Sequence, residues 1–126
     1  MANEITLSGS LQYQNTAIGI AQQSLSVNSL LVSIVGQQFT EGTKSFPTTA
    51  GGTAIPLGGL ATIGWCMFKN NDPTNFISIL TGVAGTQIAK LFPGEFALLR
   101  LDPAITAPAA LANIAAASLQ WLMLER

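Results

Sequence analysis

The chain contains no histidine and one cysteine, and its 126 residues include only five Lys or Arg and six Asp or Glu. General acid-base catalysis, metal ligation and activated nucleophiles draw on those side chains, set within hydrogen-bond reach of one another. Here the carboxylates Glu4, Glu41, Asp72, Glu95, Asp102 and Glu125 are scattered, the nearest two standing seven positions apart. Without histidine no Ser-His-Asp constellation forms, and no motif supports a Ser-Lys dyad on Lys44, Lys69 or Lys90. These absences predict a protein that is not an enzyme, with no catalytic residues, no metal site and no cofactor.

Positive charge is as scarce as negative. A net charge of −1 with no basic cluster removes the electrostatic footprint of nucleic-acid binding, so neither DNA nor RNA is an expected partner. The lone Cys66 has no internal disulfide partner. It lies in the apolar run Trp65-Cys66-Met67-Phe68 and is expected as a buried thiol. The start, Met1-Ala2-Asn3-Glu4, lacks the basic and apolar regions of a signal peptide, and no apolar stretch is long and clean enough to span a bilayer. Synthesis and retention in a cytoplasm, without a membrane partner, is the expectation.

What the chain has instead is neutral surface chemistry. Charged residues make up 9% against about 25% in ordinary soluble domains, while hydrophobic residues reach 48% and mean hydropathy is +0.44. Ser, Thr, Asn and Gln number 36. Such a surface hydrogen-bonds without repelling itself, which favours a protein that assembles. Length suits one domain with a core of its own, over 1–126.

Glu4 to Tyr13 alternates strictly, with Ile5, Leu7, Leu11 and Tyr13 on one side, and predicts a half-buried strand. Residues 17–23 and 25–40 predict short strands and turns. Residues 43–59, rich in Gly, Thr and Pro, predict a long extended loop with at most one edge strand. Its Gly51-Gly52 and Gly58-Gly59 pairs lack the Gly-Lys-Ser/Thr of a phosphate loop and read as flexibility, which makes the segment the candidate for contacting a partner.

In the second half, Gly64–Lys69 and Phe76–Leu80 flank Asn70-Asn71-Asp72-Pro73-Thr74-Asn75, a strand-turn-strand unit. One carboxylate in that turn is too few for a calcium loop, so Asp72 is expected to shape the turn. Residues 86–92, Pro93-Gly94 and 95–101 predict a second hairpin. Glu95 and Arg100, five apart on a strand, project to opposite faces. Residues 118–125 alternate around Leu119, Trp121 and Met123 and should close a sheet. Between them the alanine-rich 104–117 leaves a short helix open beside extended structure. Trp65, Phe68, Phe76, Phe92, Phe96 and Trp121 are expected in the core. The sum is an all-β fold, an antiparallel β-sandwich or jelly-roll-like barrel of about seven to nine short strands.

Three segments carry a resemblance: 64–76 (GWCMFKNNDPTNF), 89–101 (AKLFPGEFALLRL) and 119–125 (LQWLMLE). Together they resemble small β-rich virion structural proteins of tailed bacteriophages. The resemblance covers about half of the chain; residues 43–59 depart from it. It implies a compact, non-enzymatic β domain located on a virion and made in the host cytoplasm. Its partners would be itself, as a homo-oligomer with a trimer favoured, and other virion proteins such as the major capsid protein. A capsid decoration or cement protein is the leading expectation. A tail tube, adaptor or fibre-attachment subunit, or a glycan- or receptor-binding module on the virion, are the alternatives.

Overall fold

The computed structural model describes residues 3–15, 17, 20–34 and 38–126. The chain, expected above as one β domain, falls into two compact units, Met1–Val35 and Gly36–Arg126. The described residues are all-β, with ten strands in antiparallel sheets rather than seven to nine.

The first unit is a two-stranded ribbon of β1 (Asn3–Asn15) and β2 (Ile20–Ile34). A single strand of 15 residues thus replaces the short strands and turns expected after residue 17; residues 16, 18, 19 and 35–37 lie outside the described set. The cause is a phase slip in the sequence. Leu25 and Val27 sit at odd positions and Leu30 at an even one, which would end an ordinary strand. Here Leu7 pairs with Leu30 and Gly9 with Val27, so Ser8 faces both Asn28 and Ser29. This is a β-bulge, with Ser29 in the left-handed region at φ 51°. The extra residue restores the alternation, so Leu7, Leu11, Leu25, Val27 and Leu30 share one face. Of the residues expected on the covered side of β1, Leu7 is half-buried and Leu11 is 75% exposed, while the side chains of Ile5 and Tyr13 lie outside the described set.

The second unit is a sandwich of two four-stranded sheets. One has the order β3-β10-β5-β8, from β3 (Phe39–Phe46), β10 (Ala117–Glu125), β5 (Ile63–Asn70) and β8 (Phe96–Arg100). The other has the order β4-β9-β6-β7, from β4 (Thr53–Ala54), β9 (Ala109–Ala112), β6 (Ile77–Leu80) and β7 (Gln87–Leu91). Neither sheet closes on itself, so the fold is a sandwich and not a barrel. Alternate residues of β5 and β10 enter the core: Cys66 and Phe68 from one, Leu119, Trp121 and Met123 from the other. Ile77 and Ile79 meet them from the facing sheet, with Phe46, Ile55 and Leu91 completing the cluster. Each such side chain contributes about 1.5–3 kcal/mol by leaving water.

β5 and β6 do not form a hairpin; the 70–76 turn carries the chain from one sheet to the other. The Pro93-Gly94 turn does likewise between β7 and β8. The local hairpin is β6 with β7. Turn chemistry fixes a chain reversal but not which sheet receives the next strand, and burial decides that. β10, expected to close a sheet, lies in its middle, paired to β3 and β5.

No helix forms in 104–117. Pro108 and Ala109, Ala110 and Ala112 are buried, and β9 runs between β4 and β6. Small side chains let this central strand lie against β3 of the facing sheet, and that packing outweighs alanine's helix propensity. Of the six aromatic residues expected in the core, Phe68 and Trp121 are buried, Trp65 and Phe76 half-buried, and Phe92 and Phe96 exposed.

The 43–59 segment is not a flexible loop. Residues 43–46 belong to β3 and Phe46 and Ile55 are fully buried. Gly51 and Gly52 hold positive φ values of 84° and 80°. A Cβ on Gly52 would stand 2.9 Å from Leu80 Cδ1 and 3.1 Å from the Ala110 oxygen. The glycines therefore serve close approach and left-handed backbone rather than mobility.

Candidate functional site

The outward face of the β3-β10-β5-β8 sheet follows from the same alternation that fills its core. Cross-strand register places Glu41, Leu122, Met67 and Leu98 in one row across the four strands. The next row is Thr43, Gln120, Lys69 and Phe96. Leu122, Met67, Leu98 and Phe96 are all exposed. An apolar band thus crosses three adjacent strands, edged by one acid, one base and neutral hydrogen-bonding groups. A groove of about 640 Å³ lies on this face, with Glu41, Thr43, Met67, Lys69, Gln120 and Leu122 among its walls. Contiguous apolar surface of this kind marks contact with another macromolecule more often than chemistry.

The residues weighed for chemistry are dispersed. Among the described residues no group of three or more His, Cys, Asp or Glu is placed to hold a metal ion. Asp72 shapes the turn as expected: its Oδ1 accepts hydrogen bonds from the backbone N–H of Asn75 at 2.6 Å and of Thr74 at 2.9 Å, and from Thr74 Oγ1 at 3.2 Å. Those donors hold the Asp72 carboxyl below its ordinary value. Cys66 is buried, and desolvation pushes its thiol up to about 12, so it is inert as a nucleophile at neutral pH. Glu95 lies in the turn before β8, where its Oε2 accepts from the Phe92 N–H at 2.9 Å.

One residue with a large role was passed over in the sequence, as one Asn among several in a turn. Asn70 is completely buried. Its backbone N–H donates to the Glu95 oxygen at 2.9 Å and its oxygen accepts from the Gly94 N–H at 3.1 Å. Its Nδ2 donates to the Asn75 oxygen at 2.8 Å and to the Leu91 oxygen at 3.0 Å, and its Oδ1 accepts from the Asp72 N–H at 2.9 Å. The 70–76 turn is fastened to this side chain and the Pro93-Gly94 turn to the same residue's backbone. The signal was its place as the last residue of an alternating strand, on the inward parity of Cys66 and Phe68.

A second aromatic group lies beside these turns. Lys90 Nζ sits 3.8 Å from the centroid of the Phe76 ring and 5.4 Å from that of Phe92. This cation-π contact puts a charge over the half-buried Phe76 and exposed Phe92 rings. The fold and this surface define a β-sandwich with a neutral, partly apolar sheet face. No protein-family model matches the chain, and neither a curated protein nor a solved structure does.

Proposed function

We propose that this protein is a non-enzymatic structural protein of a phage virion, a capsid decoration or cement protein that acts as a homo-oligomer and binds the major capsid protein. The observation that carries the reading is the Leu122-Met67-Leu98 band with Phe96 beside it, exposed on a sheet face with little charge. Burying such a face against a capsid lattice gains apolar contact without stranding buried charge. The rim groups Thr43, Gln120, Glu41 and Lys69 supply hydrogen bonds and a modest choice of partner. The 43–59 segment, the candidate for contacting a partner, is anchored in the core by Phe46 and Ile55 while most of its other residues are exposed.

The test is binding to phage heads assembled without the protein. Leu98→Gln combined with Leu122→Gln leaves the sandwich folded by circular dichroism and lowers occupancy on heads by about tenfold or more. Unchanged occupancy overturns the assignment of this face, and binding to purified tails in place of heads moves the protein to the tail.

A glycan- or receptor-binding module is the second reading, favoured by exposed Phe92 and Phe96. It requires a sugar ligand on a glycan array. Lys90 over Phe76 and Phe92 counts against it by occupying part of the aromatic surface.

A further inference from the structure

The ribbon of the first unit has a face on which most of the described apolar side chains are exposed. Leu11 is 75% exposed, Leu25 73%, Leu30 47% and Val27 45%. A two-stranded sheet is at best marginal in water and needs a covering surface. Three features of the ribbon point to what that surface is.

The first is charge. Among the residues whose side chains are described, the apolar face of Leu7, Leu11, Leu25, Val27 and Leu30 carries no ionisable group. The described residues of the reverse face include Thr6, Ser8, Ser10, Gln12, Ser24 and Ser26, with Leu31 the one apolar exception among them. Nothing there selects a charged partner, and nothing opposes the approach of an identical face. The second is shape. Gly9 lies between Leu7 and Leu11 and opposite Val27, and a Cβ built on Gly9 would meet nothing within 4 Å. The face therefore runs large, small, large: Leu7 with Leu30, Gly9 with Val27, Leu11 with Leu25. Two such faces, antiparallel and offset by one pair, seat the Leu11–Leu25 pair of each over the Gly9 notch of the other. That arrangement satisfies a twofold axis, since each copy gives what it receives.

The third is area. At ~3.4 Å per residue β1 spans roughly 44 Å, and a ribbon roughly 10 Å wide offers about 400 Å² per copy. The two copies together bury about 800 Å², below the range of stable specific interfaces, so the contact is weak and forms and dissolves with concentration.

We propose that the ribbon is a self-association device, its apolar face covered by the ribbon of a second copy of this chain with Leu11 and Leu25 placed over the partner's Gly9. The proposal rests on the homo-oligomer reading but not on the virion, so ribbon pairing and particle binding fail separately.

Light scattering on the full chain, from about 1 μM to about 1 mM, tests it. A shift from monomer toward dimer is expected. Leu11→Gln with Leu25→Gln, and independently Gly9→Leu, should raise the dissociation constant by about tenfold or more, while Trp65 and Trp121 keep a wild-type near-UV signal that certifies the sandwich. Facing sheets stand about 10 Å apart, too far for a direct disulfide, so a short bismaleimide gives the face-specific check: Leu11→Cys is cross-linked between copies and Ser10→Cys, on the reverse face, is not. A monomer at every concentration, a trimeric mass, or equal cross-linking of the two cysteine variants overturns the proposal.

Discussion

Asn70 donates from Nδ2 to the backbone oxygen of Leu91 at 3.0 Å, joining the end of β5 to the end of β7 across the two sheets. The same nitrogen reaches the Asn75 oxygen, and Oδ1 takes the Asp72 N–H. Leu at this position keeps most of the volume and strips all three partners. We expect Asn70→Leu to lower stability by about 2–4 kcal/mol, since each buried group left unpaired costs about 1–3 kcal/mol and part of the turn is wet. The urea midpoint should fall with its slope unchanged. A change below about 1 kcal/mol would mean that water replaces the amide.

Gly42 stands opposite Trp121 in the β3–β10 register, and a Cβ there would lie 2.6 Å from Trp121 Cζ2. Trp121 is hemmed in by Phe46, edge-on at 6.0 Å between centroids, so the indole has little freedom to yield. Gly42→Ala should destabilise by about 1–3 kcal/mol, the range of overpacked cores. A shift in tryptophan emission should accompany it, and an unchanged melting curve would show that the edge strand moves aside.

Two groups set the pH response in opposite directions. The Asn75 and Thr74 N–H groups lower the folded pKa of Asp72, so its contribution is present above the unfolded value and lost as pH falls through the folded one. Asp72→Asn should flatten the acid limb of stability against pH. Burial raises Cys66 from 9.0 to about 12, so that stability is full below pH 9.0 and declines as pH rises toward 12. Cys66→Ala should shallow the alkaline limb. Urea midpoints across pH check both, and a variant limb as steep as the wild type removes that residue from the account.

The Ser29 bulge makes a sharp prediction about register. Ser29→Gly relieves a left-handed backbone and should stabilise the ribbon by up to about 1 kcal/mol. Deleting Ser29 removes the extra residue, so Val27 and Leu30 stand two apart and a regular ladder keeps Leu25, Val27 and Leu30 on one face. Cross-strand contacts between Leu11 and Leu25 in NMR spectra should then persist. Their loss would show that the bulge itself holds the register.

The all-β class, most strand positions and the turn role of Asp72 were legible because alternation and turn chemistry are local. Cys66, Phe68, Leu119, Trp121 and Met123 sit inward as their parity demands. Sheet assignment was not legible: Pro93-Gly94 turns a chain equally well within a sheet or between two. Phe92 and Phe96 misled because aromatic character suggests a core, while position beside a sheet-to-sheet turn and outward parity leave them exposed. Gly51-Gly52 misled in the same way, since dipeptide composition does not distinguish a loose loop from a backbone pressed against Leu80 and Ala110. The outward apolar band was hidden for a different reason. Leu122, Met67 and Leu98 lie far apart in the chain and become one surface only through the pairing of β10, β5 and β8.

The central place of β10 bears on how the chain is made. Until residues 117–125 leave the ribosome, β3 and β5 have no strand between them and the four-stranded sheet has no interior. Pairings this distant in sequence are entropically slow to close. The ribbon strands β1 and β2 are therefore made well before β10, and neighbouring nascent copies can already meet through them while residues 36–116 are added.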